Sequence, residues 1–557
     1  MRPVGFLGLM LCCAAALGAP SGVVLNTLSE ELQRNFIGLK QKADPPPYFL
    51  SYEVTEQEFH VAGATLGALN ASGDSRSRYL DVSVRVGSPK LDNYHRVRGE
   101  RTQFTSGASI SIDDNPAAIR QRLWLETDRV YRSAAERLIK IRTNQEVKVA
   151  ERDSSDDFST DPVSTHTEAV HEIKFDRQKW EERVRKLSLA FAQHPALLNS
   201  SVLVSAQGDT RYFVTSEGGR IQHGRGFARV IISAQAKSPD GMDLADAEYY
   251  DAVDSANLPK EDFLMASVAR VAGHVEALLK APVTEPIVGP AIFSGRASGV
   301  FFHEIFGHRI EGHRQKDDTE GQTFTKSLGE CVLPDFLSVD FDATLRKVNG
   351  IDLNGWYEFD DEGIAAKPIR LVDKGILRAF LMSRSPIEGF VHSNGHGRRQ
   401  PGLEVVSRQS NLIVNSTKTV PAVRLREMLI EEVKRQGKPY GLYFEDITGG
   451  FTTTGRSGLQ AFKVIPVLVY RVFPDGRPDE LIRGADIVGT PLASFSKILA
   501  TSDKMEVFNG YCGAESGSVP VSAISPAILI SEIEIQKKDK SQERPPLLPR
   551  PEQGPTE

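Results

Sequence analysis

Cysteine is scarce in this chain, and neither sign of charge dominates it. Four cysteines in 557 residues are too few for a scaffold held together by disulfides. Lys plus Arg number 67 and Asp plus Glu number 73, a formal net charge of −6, so the overall basic character of a nucleic-acid-binding protein is missing. Hydrophobic residues at 40% and charged residues at 25% are typical of folded domains and exclude a disordered or collagen-like chain.

Long apolar runs are also rare, and the most prominent one lies at the N-terminus. Arg2 precedes an almost continuous apolar run over residues 4–17, which is shorter than the ~20 residues of a membrane-spanning helix. The tripeptide Ala16-Leu17-Gly18 fits the small-residue cleavage site of a secretory signal peptide. The sequence therefore predicts removal of residues 1–18 and an exported protein, periplasmic or extracellular, with no stable membrane span.

Cleavage at this site would leave only two cysteines in the mature protein. Cys12 and Cys13 lie within the predicted signal peptide. Lipid attachment at Cys12 or Cys13 is a weaker alternative, because Leu11 occupies the position before Cys12 where a small residue is expected. Two remaining cysteines in an exported protein suggest a disulfide by default, so a bond between Cys331 and Cys512 is one interpretation of this pair.

The N-terminal half, residues 19–285, is predicted to be a mixed α+β domain. Residues 80–86 alternate apolar and polar side chains, as in a half-buried strand. Asn115-Pro116 combines a capping residue with a proline at the first helical position and predicts the start of a long helix, on which Trp124 is expected in the core. Residues 153–167 are rich in Ser, Asp and Thr and predict an exposed loop.

A domain boundary is predicted at residues 281–290, where prolines and glycines interrupt the pattern. Beyond it, residues 286–536 are richer in strand patterns, and residues 422–436 predict one amphipathic helix bounded by a proline and a glycine. Residues 537–557 contain mainly Lys, Glu, Pro and other polar residues and predict a disordered tail. The predicted fold class is α+β, with a mixed α/β-sheet domain followed by a strand-rich domain.

The candidate chemistry is concentrated in the segment from His303 to His308, which has the sequence HEIFGH. Zinc peptidases use His-Glu followed by a second His on one helix to present two imidazoles and a general base together. Their usual spacing is i, i+4, whereas a spacing of five separates two side chains by about 140° around an ideal helix. Both imidazoles could face one ion if the helix contains a π-bulge or is broken near Gly307. From spacing alone, two unrelated histidines on opposite faces remain an alternative.

A catalytic zinc requires a third protein ligand and an open fourth position. The candidates are His313, Glu311 and the distant Cys512, which lies among glycines that let the backbone approach closely. Two imidazoles and one thiolate form a zinc donor set in which the bound thiol stays deprotonated. From spacing alone, Cys512 fits this role and a disulfide with Cys331 equally well.

Six short sequence blocks follow one another through the C-terminal half. In chain order they are His303-Glu304-x-x-x-His308-x-x-Glu311-Gly312, Asp360-Asp361-Glu362-Gly363, Asn394-Gly395-His396-Gly397-Arg398-Arg399, Asp446-Ile447-Thr448-Gly449-Gly450, Gly484-Ala485-Asp486-Ile487-Val488-Gly489, and Cys512-Gly513 leading to Val519-Pro520-Val521. This order resembles the TldD/PmbA family of metallopeptidases, also called the modulator-of-gyrase family, and specifically its TldD-like, metal-bearing branch. The N-terminal half resembles the family's other domain more loosely, through Thr215-Ser216-Glu217-Gly218-Gly219.

The resemblance implies a fold and a set of site residues. It implies one zinc ion per chain bound by His303, His308 and Cys512, with Glu304 as the catalytic base. It implies a strand-rich, barrel-like C-terminal domain that carries the HExxxH helix. Because Cys331 matches no family block, the sequence then predicts a free, buried thiol there rather than a disulfide.

Several further residues are expected to support this site. Arg398 and the backbone amides of Gly449 and Gly450 are candidates for binding substrate and stabilising the oxyanion. For Arg398 and Arg399, a structural ion pair is an equal alternative to binding a substrate carboxylate. Glu311 is a candidate for orienting a ligand imidazole, with a capping or surface role as its alternative. His313 is expected to be a surface residue of the helix. Asp360-Asp361-Glu362-Gly363 resembles a calcium cluster but is better interpreted as a turn between strands.

The sequence therefore predicts an exported zinc metallopeptidase that cleaves peptides or unfolded polypeptide segments. A zinc-activated water would attack, with Glu304 as general base. The resemblance also implies a dimer, either of two identical chains or with a metal-less sister chain, and nothing in the sequence suggests a nucleic acid partner. The alternative is a non-catalytic peptide-binding or assembly partner of the same fold, but the metal-less chains of the family lack the His-Glu-His set that is retained here.

Overall fold

The computed structural model describes residues 22–96, 107–145, 153–317, 320–452, 454–455, 462–489 and 494–538, together with residues 544–546, 548 and 551. The predicted signal peptide, residues 1–18, lies outside the described residues, as does most of the predicted tail from residue 537 onward. Within the described part of the chain, no helix is both long and apolar enough to cross a membrane.

Helices and strands alternate unevenly along the chain. The helices are α1 (Val23–Lys42), α2 (Pro116–Gln145), α3 (Arg177–Leu189), α4 (Glu261–Lys280), α5 (Gly295–Ile305), α6 (His313–Lys316) and α7 (Ala422–Arg435). The first strands are β1 (Pro47–Thr65), β2 (Ala68–Ser88), β3 (Leu91–Asp92), β4 (Ala108–Ser109), β5 (Thr165–Thr167), β6 (Asn199–Thr215), β7 (Arg220–Lys237) and β8 (Asp243–Ala252). The later strands are β9 (Ile287–Phe293), β10 (Leu337–Phe341), β11 (Lys347–Val348), β12 (Ile351–Asp352), β13 (Ile369–Asp373), β14 (Ile376–Leu377), β15 (Gly397–Arg398), β16 (Val406–Ser407), β17 (Asn411–Ser416), β18 (Thr419–Val420), β19 (Gly441–Thr452), β20 (Phe462–Val472), β21 (Glu480–Ile482), β22 (Ala485–Gly489), β23 (Ile498–Ala514) and β24 (Gly517–Lys537).

The first sheet is built from the long strands β1, β2, β6 and β7, which pair antiparallel, with shorter strands at its edges. Apolar side chains of α1 and α2 pack against one end of these strands, and those of α3 and α4 pack against the other end. The predicted strand over residues 80–86 is part of β2. The half-buried strand predicted from this alternation is confirmed, because the apolar residues cover one face of the sheet.

The second sheet closes on itself. Strands β24, β22, β20, β19 and β9 pair in that order, and β9 also pairs with β24. Five strands thus form a closed ring, which confirms the barrel-like domain, and further strands extend from it through β17 and β10. Helix α5 contacts β24, β19 and β23, and all of its residues except Arg296 are buried.

Local sequence signals located the helices well. Helix α2 begins at Pro116, and the Asn115 side-chain oxygen accepts hydrogen bonds from the backbone N–H groups of Ala117 and Ala118, as a capping residue should. Helix α7 covers Ala422–Arg435 and is followed by Gly437 in a left-handed conformation at φ 63°. The boundary near residues 281–290 stays a prediction, and it lies between the end of α4 and the body of β9.

Two expectations for the N-terminal half are wrong. Trp124 is 48% exposed on α2 instead of lying in the core. The segment 153–167 is not an exposed loop throughout, because Phe158 and Ser159 are buried. The Arg384 guanidinium lies 3.9 Å from the centroid of the Phe158 ring, and the Ser159 N–H donates to the Arg384 carbonyl at 2.9 Å. This part of the segment is thus buried by residues that are distant in the sequence, one of them more than 200 positions away, and no local pattern indicates such contacts.

Candidate metal centre

Helix α5 is held close to the central strand β24 by small residues. Its first turn is capped by the Ser294 hydroxyl, which accepts from the Ala297 N–H at 3.1 Å. A Cβ atom at Gly295 would lie 2.6 Å from the Ser525 carbonyl oxygen, and one at Gly299 would lie 3.2 Å from Ala523. The missing Cβ at Gly295 permits this approach, which positions His303 and Glu304 in the last turn of the helix.

The α-helix ends at Ile305, and a 3₁₀ turn over Gly307–Ile310 follows at once. Of the two ways in which a spacing of five could bring both imidazoles together, the structure therefore shows the broken helix. The turn carries His308 back towards His303, and the centroids of the two rings are 5.2 Å apart with their planes at 78°. Gly307 leaves room for the buried Gln409 side chain, because a Cβ atom at this position would lie 1.9 Å from the side-chain oxygen of Gln409.

Cys512 reaches the two histidines from β23, where it pairs with Val519 of β24. Its Sγ lies 3.3 Å from His308 Nε2, and the donor atoms of His303, His308 and Cys512 all lie within 4.8 Å of one another. All three residues are buried. Cys331 and Cys512 are both free thiols, so the disulfide alternative is not found, and Cys331 is exposed instead of buried as expected.

The charges around Cys512 favour its thiolate. Burial raises the pKa of the Cys512 thiol, but the His308 and His303 imidazoles outweigh this and hold the pKa well below its ordinary value. Burial likewise disfavours the charged form of His308, yet Cys512 and Glu311 raise the pKa of this imidazole well above its ordinary value. The protein thus stabilises the ionised thiol that metal binding requires.

Glu311 stands behind His308 in a fully buried position. One carboxylate oxygen lies 3.6 Å from His308 Nδ1 and 3.5 Å from Arg408 Nε, and the other accepts from Arg314 Nε at 2.8 Å. Burial raises the pKa of Glu311, but Arg314 and His308 reverse this and lower it to about 2. This arrangement excludes the surface role and fits a carboxylate that orients the imidazole.

Arg408 and Gln409 are site residues that sequence reasoning missed. Arg408 is fully buried and donates to the Cys512 carbonyl at 2.5 Å and to the Ser516 hydroxyl at 2.7 Å. The Gln409 amide nitrogen donates to the His303 carbonyl at 3.3 Å. Residues 407–411 are all polar and all buried, whereas such a polar run in a sequence is typical of an exposed loop.

His313 is buried instead of lying on the surface as predicted. Its Nε2 atom forms an ion pair with Glu515, and the same carboxylate accepts from Arg314 at 2.8 Å. Burial lowers the pKa of His313, although Glu515 opposes this. His313 is not part of the donor group formed by His303, His308 and Cys512.

The predicted substrate-binding residues lie outside that donor group. The Arg398 guanidinium is buried and donates to the carbonyls of Gln409 at 2.6 Å and Pro520 at 2.7 Å. Gly449 and Gly450 lie in β19, paired with Ile465 and Val464 of β20. Arg398 supports the backbone beside Gln409, and a role for it, Gly449 or Gly450 in binding substrate stays a prediction.

The carboxylate sequence at residues 360–363 forms a turn, as predicted. The Asp360 carboxylate accepts from the N–H groups of Glu362 and Ile364 at 3.0 and 2.9 Å, and Gly363 has a φ of 77° that favours glycine. Burial, reinforced by Glu362, raises the pKa of Asp360 to about 8. Its other oxygen accepts from Gly397 N–H at 2.9 Å, which ties the turn to the segment containing Arg398.

Replacing Gly307 by Ala is expected to destabilise the protein by ~1–3 kcal/mol, the usual cost of forcing an extra carbon into a packed site. The new Cβ would overlap the Gln409 side chain. Urea unfolding of Gly307→Ala and of Gly307→Ala/Gln409→Ala measures this, and the double variant should recover part of the loss. Gly273→Ala is the matched control, because a Cβ there meets nothing within 4 Å. Equal effects of both glycine substitutions would contradict the packing argument.

His396 should make the fold sensitive to acid. Burial lowers its pKa to about 3, whereas the unfolded value is ~6.5. The folded state therefore binds fewer protons below pH 6.5, so the contribution of His396 to stability is complete above that pH and is lost on acidification, by up to ~1.4 kcal/mol per pH unit. The free-energy cost of His396→Gln should thus be larger at pH 7.5 than at pH 5.5, and parallel pH profiles of the two proteins would contradict this.

Comparison with known proteins agrees with this architecture. Residues 288–537 match the family model described as the PmbA/TldA metallopeptidase C-terminal domain. A metalloprotease from Methanocaldococcus jannaschii is 26% identical over 65% of this chain and 72% of its own length. A metalloprotease TldD homolog from Haemophilus influenzae is 27% identical over 44% of this chain and 48% of its own length. A zinc metalloprotease TldD homolog from Saccharolobus solfataricus is 24% identical over 44% and 51%, so this chain spans about half the length of the latter two relatives.

Solved structures share the fold over most of the chain. A protein from Thermotoga maritima described as a modulator of a DNA gyrase has a TM-score of 0.59 at 14% identity, covering 91% of this chain and 100% of its own. TldE from Thermococcus kodakarensis has a TM-score of 0.58 at 13% identity, covering 90% and 100%. At these identities the likeness shows the fold alone.

Proposed function

We propose that this chain, whose residues 288–537 match the family model of the PmbA/TldA metallopeptidase C-terminal domain, is an exported zinc metallopeptidase that cleaves peptides or unfolded polypeptide segments. The observation that carries the proposal is the convergence of His303, His308 and Cys512, whose donor atoms lie within 4.8 Å of one another. Glu304 follows His303 directly on α5, and its carboxylate is not part of that donor group. The site thus offers three ligands and one separate base.

The donor set fits zinc in number, chemistry and spacing. Zinc binds Cys at ~2.3 Å and His at ~2.0–2.1 Å, so two such donors of a tetrahedral ion lie ~3.5 Å apart. Sγ of Cys512 and Nε2 of His308 are 3.3 Å apart. The lowered pKa of Cys512 supports binding as a thiolate. Three protein donors leave the fourth position for water or substrate, as catalytic zinc sites do.

The residues around this group have distinct tasks in peptide hydrolysis. A zinc ion bound there would lower the pKa of a water and polarise the scissile carbonyl. Glu304 accepts the proton of the attacking water and delivers it to the leaving amine, which is general base and then general acid catalysis by one group. Glu311 holds the His308 imidazole, and the Gln409 amide holds the His303 carbonyl. The first contact places a carboxylate beside the His308 ring, and the second supports the backbone that carries the His303 ring.

The substrate class follows from the strand-rich surroundings. An extended peptide that adds a strand to a sheet is held through its backbone and is read only weakly by sequence. We propose that peptides or unfolded segments bind in this way. Export is proposed from the signal-peptide pattern of residues 1–18, and a dimer with a second copy or a metal-less sister chain is proposed from the family resemblance.

A second candidate function is peptide binding without cleavage. The donor group of His303, His308 and Cys512 disfavours this second function, because a binding protein needs neither the Cys512 thiolate nor a separate carboxylate at Glu304. The two functions differ in one assay. The purified mature chain is incubated with unfolded polypeptide, with a chelator, and with the chelator followed by zinc.

The peptidase proposal expects new amino termini that form in the untreated sample, disappear with the chelator and return with zinc. Cys331→Ser is the matched control for Cys512→Ser, because Cys331 is a free thiol outside the donor group. The control should keep its activity and Cys512→Ser should lose it. Peptide binding with no new amino termini in any zinc-containing sample would favour the second function.

A further inference from the structure

A second group of potential metal donors lies at the junction of the two sheets, away from Cys512. His166 is on the short strand β5, which pairs with β7 of the first sheet. Glu168 follows it closely, and Glu358 comes from the segment between β12 and β13. His166 Nε2 lies 3.2 Å from a carboxylate oxygen of Glu168 and 3.5 Å from one of Glu358. The donor atoms of the three residues all lie within 4.8 Å of one another.

The three donors converge on one ring nitrogen of His166. His166 Nε2 is shielded from solvent and has no hydrogen-bond partner, although two carboxylate oxygens are near it. If the His166 ring N–H donated a hydrogen bond to these carboxylates, it would point directly at one carboxylate oxygen. A nitrogen that faces the space between two oxygens, with a hydrogen bond to neither, has the arrangement of ligands around a shared cation.

The remaining carboxylate oxygens are already bound elsewhere. The second oxygen of Glu168 accepts from the Gly224 N–H at 3.4 Å, and the Glu168 carbonyl accepts from the Gln222 amide at 2.7 Å. The second oxygen of Glu358 forms an ion pair with Arg346. Each carboxylate therefore has one oxygen that is held by the protein and one that faces His166, so the orientation of the donors is fixed before any ion binds.

His60 shows what an ordinary ion-paired histidine looks like in this fold. It also lies between two carboxylates, but it uses one ring nitrogen for each: Nδ1 is 2.8 Å from Asp74 and Nε2 is 3.1 Å from Glu58. Both contacts are hydrogen bonds. His166 differs because a single nitrogen faces both carboxylates, and this difference makes His60 a matched control.

We propose that His166, Glu168 and Glu358 bind a divalent transition metal ion such as Zn²⁺. Zinc binds His and carboxylate at ~2.0–2.2 Å, which separates two donors of a tetrahedral ion by ~3.3–3.6 Å, and the observed separations from Nε2 are 3.2 and 3.5 Å. Imidazole favours zinc and its neighbours over Ca²⁺ and Mg²⁺, which prefer oxygen ligands. The site is independent of the proposed peptidase centre.

The role of this ion is to join the two parts of the chain. His166 and Glu168 belong to the first sheet and its flanking segment, whereas Glu358 precedes the Asp360 turn that holds Gly397. An ion bound to all three stabilises only the docked arrangement, so it adds stability in proportion to the logarithm of its free concentration. Zinc should therefore raise the thermal midpoint of unfolding even when the Cys512 site is destroyed.

The test is zinc stoichiometry by equilibrium dialysis and elemental mass spectrometry on the full mature chain. We expect two zinc ions in the unmodified protein, one in Cys512→Ser, one in His166→Ala and none in the double variant. His60→Ala should retain both. In Cys512→Ser, zinc should raise the thermal midpoint of unfolding, and adding His166→Ala should abolish both that shift and the remaining zinc binding.

The variants distinguish failure of this site from failure of the proposed peptidase centre. If Cys512→Ser binds no zinc, or if His166→Ala binds as much zinc as the unmodified chain, this proposal is wrong. One zinc that is lost in His166→Ala and kept in Cys512→Ser would support it while contradicting the proposed peptidase centre. Glu358→Gln provides a second route should His166→Ala fail to fold, since it removes a ligand charge from the opposite side and should also lose one zinc.

Discussion

The variant Glu304→Gln is expected to bind zinc like the unmodified chain and to hydrolyse peptides ~10²–10⁴-fold more slowly, the usual contribution of a general base. Glutamine keeps the size and hydrogen-bonding capacity of the side chain but cannot accept the proton of the attacking water. Because Glu304 is outside the donor group of His303, His308 and Cys512, its replacement should not disturb metal binding. The measurement is the hydrolysis rate of an unstructured peptide together with zinc content.

A suitable control is Glu330→Gln, which makes the same change at an exposed glutamate. It should leave both the rate and the zinc content unaltered. If Glu304→Gln retained the full rate with zinc bound, another group would have to be the base. If it lost zinc together with activity, Glu304 would be a ligand, and its assignment as the separate base would be wrong.

The second large effect is expected at Arg408. The side chain is fully buried and joins the strand of Cys512 to the carboxylate that faces His308. Its guanidinium donates to the Cys512 carbonyl at 2.5 Å, to the Ser516 hydroxyl at 2.7 Å and to the Gly517 carbonyl at 3.0 Å. Arg408→Met removes every one of these donors and one cation from beside Glu311, so the free energy of unfolding should fall by ~3–5 kcal/mol.

Denaturant unfolding of Arg408→Met measures this loss, and Arg424→Met is its surface counterpart. Arg424 lies on α7, where it forms exposed ion pairs with Glu427 and Glu431, which contribute little in water. Arg424→Met should thus unfold at nearly the same denaturant concentration as the unmodified chain. Similar losses in the two variants would show that the Arg408 network is not important for the fold.

The part of the site that is local in sequence could be predicted, and the part that depends on distant residues could not. The order of His303, Glu304 and His308 indicates a metal-binding helix, and Gly307 indicates where that helix can break. Cys512 lies 204 residues from His308, so only the resemblance to a family selected it as a ligand. Spacing alone left its disulfide interpretation open.

The errors have a common physical cause, which is burial of polar residues by distant partners. His313 was expected on the surface because its own helix gives no reason to bury it, and Glu515 provides that reason from another part of the chain. Arg384 is likewise a distant partner of the buried residues Phe158 and Ser159, since it stacks on the Phe158 ring and its carbonyl accepts from the Ser159 N–H. Hydrophobic periodicity reports which apolar residues are buried, but it does not report a buried ion pair.

The fold was easier to predict from the sequence than the site, because the sequence patterns that indicate helices and strands recur along the chain. Alternating apolar residues indicated strands such as β2, and Pro116 and Pro421 indicated where α2 and α7 begin. The ring formed by β9 and β24 could not be derived in this way, since β9 and the part of β24 that pairs with it are over 200 residues apart. The barrel was therefore expected only from the resemblance to the family.

The most direct test of the account is X-ray absorption at the zinc edge on the His166→Ala chain, which isolates the centre around Cys512. We predict one sulfur at ~2.3 Å and two nitrogens at ~2.0–2.1 Å from the zinc ion. The sulfur contribution should vanish in His166→Ala/Cys512→Ser and persist in His166→Ala/Cys331→Ser. A spectrum of nitrogen and oxygen ligands alone, with Cys512 present and reduced, would contradict the proposed zinc centre and the peptidase function with it.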